Sequence, residues 1–219
     1  MIEILILSFV QGVTEFLPIS SSSHLIIISE FMNFQDQNLS IDVSLHIGSF
    51  IAVLTYFNKD ILNFFENKKL FIKILVSSIP VMIVGYILIK TNLIHELRSI
   101  KVIGWMTIIF GIVLYFIDKF CLRIRGIDTI SYAGSFFIGL SQCLALIPGV
   151  SRSGAVLTFM RFNGFSRKHS VFYTNLMAIP VIVGAMGYLI IENFNEVINY
   201  NFFNLYSFLI FIFSFFFSI

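Results

Sequence analysis

Long apolar runs alternate with short polar breaks along this chain. Residues 41–57, 70–89, 102–117, 171–191 and 202–219 are each long enough, or nearly so, to cross the ~30 Å hydrocarbon core of a bilayer as a helix. Two further regions, 1–31 and 132–162, are apolar but interrupted. The first is broken by Pro18 and the run Ser20, Ser21, Ser22, Ser23; the second by Pro148-Gly149 and Ser151-Arg152-Ser153. Each half of these regions is short for a full span. Irregular backbone at membrane depth is tolerated where it lines protein or a water-filled cavity, so both read as re-entrant hairpins or discontinuous helices. The pattern predicts an all-α polytopic membrane protein, one membrane domain over 1–219, with about five full transmembrane helices and two broken segments.

The broken regions resemble each other. The shift that carries Gln11 onto Gln142 also carries Ser20 onto Ser151 and Ser22 onto Ser153, and sets Leu17-Pro18 against Pro148-Gly149. Approximate repeats over 1–117 and 118–219 follow. A broken segment repeated in corresponding halves is the best sequence pointer to a binding site in repeat-built membrane proteins. Charge gives the orientation, because basic residues favour cytoplasmic loops. Let the first broken segment enter and leave from outside, and the second from inside. Lys59, Lys68, Lys69, Lys73, Lys119, Arg123, Arg125, Arg161, Arg167 and Lys168 then lie in inside loops, and Lys90, Arg98 and Lys101 outside. With Arg152 left in the membrane, these account for all 14 Lys and Arg. The loops near 30–42 and 192–196 carry no basic residue and fall outside. The expected arrangement is an inverted-topology repeat.

Composition agrees. The chain of 219 residues is 58% hydrophobic and 12% charged, against roughly 25% charged in an average soluble domain. Its 27 Phe suit a lipid-facing surface. A net charge of +2 is too small to imply a nucleic-acid partner. Cys121 and Cys143 have neither disulfide-framework nor metal-ligand spacing. The N-terminus has no basic n-region or small-residue cleavage site, so no removable signal peptide is expected.

Within this apolar chain a few residues carry chemistry. A charge at membrane depth costs at least ~2.5 kcal/mol on insertion scales, so Arg152 is a functional candidate. It follows a helix-breaking Pro148-Gly149 and opens the next helix with Ser151, Ser153 and Gly154. Backbone N–H groups at a helix start bind anions, and a guanidinium fork pairs with phosphate oxygens; the other reading is an Arg paired with Glu15 only to close the bundle. Glu15 has Gln11 one helical turn before it. Arg152 or a divalent cation would keep that carboxylate ionised, and a proton relay is its rival role. The serine run and His24 offer a nucleophile and a base, although serines after a proline are also ordinary helix caps. His46 lies in an apolar span and could face the same cavity, but it is not counted in the expected site. His95 and His169 read as solvated loop residues, and Asp128 as a surface residue.

At these residues the sequence resembles the undecaprenyl-diphosphate phosphatase family of the bacitracin-resistance type. QGVTEFLPISSSSHL at 11–25 is similar to its (E/Q)xxxE motif and P-x-S-S-x-x-H continuation, LIPGVSRSGAVLT at 146–158 to its PGxSRSxxT motif, and IDVSLHIGSFIAVLTYF at 41–57 follows the family pattern. The resemblance implies a multi-pass protein of the bacterial inner membrane. Its site would face the outer side and remove the terminal phosphate of a C55 isoprenyl diphosphate, recycling the lipid carrier for peptidoglycan and conferring bacitracin resistance. It implies that Glu15 and Gln11 are the acidic/amide pair, and that Ser20, Ser21 and His24 form the serine–histidine element. Ser151, Arg152, Ser153, Gly154 and Thr158 are implied as the phosphate-binding motif, with Asp128 where the family has an acidic residue. It also implies a divalent cation, Mg²⁺ or Ca²⁺, on Glu15. The expected mechanism is attack by Ser21 on the terminal phosphorus with His24 or Glu15 as base, or attack by a water the same residues activate. The expected partners are the polyprenyl diphosphate and membrane lipids; the oligomeric state is open, a homodimer included. A lipid-phosphate flippase or ion-coupled carrier is the alternative for this architecture. Two departures are visible: position 11 is Gln where many members have Glu, and the chain ends in FLIFIFSFFFSI where similar proteins continue into one more helix, so the second repeat is expected to lack its last helix.

Overall fold

The computed structural model describes residues 2–15, 17–34, 39–56, 64–91, 93, 97, 99–121, 124–192 and 205–218. The loop charges Lys59, Arg98 and Arg123, the imidazole His95, and parts of the 30–42 and 192–196 loops lie outside the described residues. The described residues are helical with no strand; one isolated bridge joins Arg125 and Phe165. The helices are α1 (Ile2–Thr14), α2 (Ser21–Phe31), α3 (Leu39–Tyr56), α4 (Lys68–Lys90), α5 (Ile100–Phe120), α6 (Tyr132–Gln142), α7 (Arg152–Phe162), α8 (Arg167–Glu192) and α9 (Leu205–Ser218), with 3₁₀ turns at Ile127–Thr129 and Cys143–Leu146. The chain groups into two compact units.

The first unit comprises Met1–Phe16, Ser21–Leu62 and Ile182–Ile219. Its core joins Ile4, Leu7, Leu25, Ile41, Leu45 and Ile210. On α1 the buried positions are Ile4, Leu7, Ser8, Gln11 and Gly12, the spacing of one helical face. A Cβ at Gly12 would fall 2.7 Å from the Phe217 backbone, so α9 meets α1 through a position only glycine can fill. The Ser214 hydroxyl donates to the Leu45 carbonyl at 2.6 Å, fastening α9 to α3. The terminal apolar run therefore packs into this unit through Ile210 and Ser214, while Phe216 stays exposed.

The second unit comprises Leu17–Ser20 and Asn63–Val181. Its core includes Phe64, Ile74, Ile138, Val156, Met160, Tyr173 and Met177. Asn67 caps α4 by accepting from the Leu70 N–H at 3.1 Å, and Ser99 caps α5 by accepting from Val102. A Cβ at Gly139 would lie 2.1 Å from the Ser77 carbonyl oxygen, so α6 rides directly on the α4 backbone. Buried Tyr173 completes this seam, bonding Ser77 at 2.7 Å and donating to Ser135 at 3.2 Å. Helices α4 and α5 are long and apolar enough to cross a membrane. On α5 only Ile103 is buried, while Trp105, Ile108, Ile109, Ile112 and Phe116 are exposed. An apolar face of that extent has no stable place in water.

Two expectations are corrected here. Arg161, counted among the inside-loop charges, belongs to α7 and is 0% exposed. It is neutralised where it lies: its Nε donates to Asp118 at 2.7 Å and its guanidinium to the Phe165 carbonyl at 2.7 Å. Arg167 donates to the other Asp118 oxygen, and that hydrogen bond raises the Arg167 pKa further. One carboxylate thus ties the end of α5 to α7 and to the start of α8. His169, expected in a solvated loop, lies half-buried in the first turn of α8 with its Nδ1 2.7 Å from the Ser166 hydroxyl.

Candidate active site

Both sequence interruptions are helix breaks. The Glu15 N–H closes the last turn of α1 on the Gln11 carbonyl at 3.0 Å. Pro18 disfavours helical backbone at the residue before it, and helix resumes at Ser21. Glu15 therefore stands at a helix end with Gln11 one turn behind it. The Ser21 hydroxyl donates to Glu15 Oε2 at 2.7 Å, and Gln11 Nε2 donates to the same oxygen at 2.9 Å. From α3, His46 Nδ1 lies 2.8 Å from Gln11 Nε2 and 3.3 Å from Glu15 Oε2, and Ser49 accepts from Gln11 at 3.2 Å. Gln11 is fully buried and the Glu15 side chain is 9% exposed. Of the two bases the sequence offers Ser21, its hydroxyl points its hydrogen at Glu15.

The second break runs through the Cys143–Leu146 turn into Pro148-Gly149. Gly149 has φ +98°, and a Cβ there would lie 2.5 Å from the Ile103 carbonyl oxygen. Both facts demand glycine. Ser151 then caps α7, accepting from the Gly154 N–H at 3.2 Å. Arg152 is the first helical residue and is half-buried. The Ser151 and Ser153 hydroxyls are 3.0 Å apart, and Ser153 donates to the Leu17 carbonyl at 3.1 Å. A Cβ on Gly154 would stand 3.3 Å from the Pro18 carbonyl oxygen. Leu17 and Pro18, from the first broken stretch, thus lie against the opening turn of α7. A helix start with serines and an arginine concentrates donors for an anion.

The remaining candidates are placed as follows. Ser20 is buried just before α2, and His24 is half-buried in its first turn. Thr158 lies two residues beyond the position where PGxSRSxxT has its threonine, which is Val156 here. That register corrects the motif assignment: the Thr158 hydroxyl donates to the Gly154 carbonyl at 2.6 Å, inside α7. Asp128 is exposed in the Ile127–Thr129 turn. Sequence reasoning left out His46 and Ser49; two polar side chains one turn apart in an apolar span were the available signal. Gln142, the counterpart of Gln11 under the repeat shift, is also buried, and neither amide atom has a partner among the described residues. Among the described residues no three His, Cys, Asp or Glu gather to hold a metal. Gln11 Oε1, however, is buried with no partner. A carboxylate beside an open carbonyl oxygen suits a hard cation such as Mg²⁺, which takes one or two protein oxygens and completes its shell with water and substrate phosphate.

Apolar exposed helices and these two polar breaks define a helical membrane protein equipped to handle an anionic group. The chain belongs to the family described as bacitracin resistance protein BacA, which it matches over residues 4–219. Curated relatives carry the name undecaprenyl-diphosphatase. One from Pelagibacter ubique is 45% identical, covering 84% of this chain and 72% of that protein. One from Dinoroseobacter shibae is 39% identical over 87% and 76%, and one from Alcanivorax borkumensis 38% identical over 84% and 74%.

Proposed function

We propose that this chain is an undecaprenyl-diphosphate phosphatase, hydrolysing undecaprenyl diphosphate to undecaprenyl phosphate and inorganic phosphate. Family membership supports the reaction, and the observation that carries the chemistry is the hydrogen bond from Ser21 to Glu15. In this scheme Arg152, the Ser151 and Ser153 hydroxyls and the first N–H groups of α7 hold the diphosphate. Phosphoryl transfer needs positioning and charge neutralisation above all. Ser21 Oγ attacks the terminal phosphorus while its proton passes to Glu15. The bond to the bridging oxygen breaks and undecaprenyl phosphate leaves with the proton from Glu15. Water then attacks the phosphoserine and gives a proton to Glu15; the Ser21–phosphorus bond breaks, that proton returns to Ser21 Oγ and phosphate departs. Direct attack by water, deprotonated by Glu15, reaches the same products. His24 stands by as a second proton carrier, and Ser20, buried just before α2, adds a hydroxyl for phosphate binding. Glu15 and Gln11 Oε1 would hold a divalent cation, which when bound neutralises diphosphate charge.

The reading extends to topology: a multi-pass inner-membrane protein with two re-entrant segments in an inverted repeat, its site open to the outer side. The test is phosphate release from a short-chain prenyl diphosphate by purified protein in detergent, with and without Mg²⁺. Release without a membrane gradient is expected; binding without release would favour a carrier. Ser21→Ala with near-normal turnover would refute the serine route. Arg152→Lys keeps the charge but loses the fork, and is expected to lower kcat/KM by about 100-fold or more if the guanidinium meets the transition state.

A further inference from the structure

Gln11 Nε2 is the hub of the α1 half-site. It has two hydrogens and three acceptors within reach: Glu15 Oε2 at 2.9 Å, His46 Nδ1 at 2.8 Å and Ser49 Oγ at 3.2 Å. Ser49 is itself tied to the α3 backbone, donating toward the Leu45 and His46 carbonyls at 3.2 and 3.1 Å. The shortest contact of the hub is the one to the imidazole. An amide can rotate by half a turn and exchange its oxygen for its nitrogen. In the turned state its oxygen would face both the Glu15 carboxylate and the His46 lone pair, acceptor against acceptor. The carboxylate and an imidazole with its lone pair on Nδ1 therefore both hold the donating end of the amide toward Glu15. Where a relative has Glu in place of Gln11 no such choice arises, because a carboxylate has two equivalent ends.

We infer that His46 is a positioning residue of the reaction, acting through Gln11. It receives one amide hydrogen on Nδ1, carries its own proton on Nε2, and so sends the second amide hydrogen to Glu15. Glu15 Oε2 is thereby fixed where Ser21 donates to it. This rests on the phosphatase reading above. The role asks only for an acceptor at position 46, so the charge of the imidazole is not required.

The test is a double-mutant cycle on the purified full-length protein, read as phosphate release from a short-chain prenyl diphosphate at saturating Mg²⁺. His46→Leu is expected to lower kcat by about 10- to 100-fold, the usual cost of losing a supporting contact, with KM within about twofold because binding is untouched. His46→Asn, whose Oδ1 takes the place of Nδ1 and can accept the same hydrogen, is expected to recover most of that loss. The decisive arm is Gln11→Leu with and without His46→Leu: residues acting in series give a double variant no slower than the Gln11→Leu single. Multiplying losses, a His46→Leu protein with normal kcat, or a His46→Asn protein as slow as His46→Leu would each overturn the inference. Should His46→Leu fail to fold, His46→Phe, which keeps a ring but has no acceptor, carries the same arm. Wild-type protein that releases no phosphate would overturn the phosphatase reading and this inference with it; normal wild-type turnover confines any failure to His46.

Discussion

A guanidinium removed wholly from water costs several kcal/mol, and only a well-made set of partners offsets it. Arg161 has that set in Asp118 and the Phe165 carbonyl. Asp118→Ala should therefore destabilise the protein by about 3–5 kcal/mol, because it strands the buried charge. Asp118→Ala combined with Arg161→Met should be milder than Asp118→Ala alone, since it removes the charge along with its partner. Thermal unfolding in detergent checks both, and a double variant less stable than the single would refute the account. No local pattern announced this pair: Arg161 precedes an Asn163-Gly164 turn and looks like a loop charge, and its carboxylate is 43 residues away. Glu15, Ser21 and Arg152 were legible because each is polar where the chain is otherwise apolar. His46 was harder to read. A single imidazole in a membrane span gives no sign of the face it occupies until α3 is set against α1.

At the scale of elements the breaks were the clearest signal. Pro18 and Pro148-Gly149 end helices for reasons that hold in any sequence, and α1, α2, α6 and α7 stop and start at them. The apolar runs also marked their helices, to within a few residues at each end. Which helices touch was not legible, because lipid is as apolar as the residues it competes with. Small residues settle it. Gly12 receives α9 and Gly139 receives α4, each at a distance that excludes any side chain. The apolar C-terminal run follows the same rule. Its contacts depend on Ser214 and on a glycine some 200 residues earlier in the chain.

For the whole molecule, the proposed inverted arrangement makes a prediction about sidedness. With Cys121 and Cys143 replaced by Ala, a cysteine at Glu30 should react with a membrane-impermeant maleimide on intact cells. Cysteines at Asn67 and Lys168, both exposed positions, should react only after permeabilisation. Labelling of positions 67 and 168 from opposite faces would rule out a re-entrant second segment. The bare outer face of α5 has a spectroscopic consequence as well. Trp105 is the only tryptophan of the chain, and it stands 66% exposed on that face. Intrinsic fluorescence will therefore be a signal from one indole in the acyl chains. Brominated lipids should quench it strongly, while diphosphate binding should leave the emission unchanged, so the protein's own light reports on its solvent rather than on its substrate.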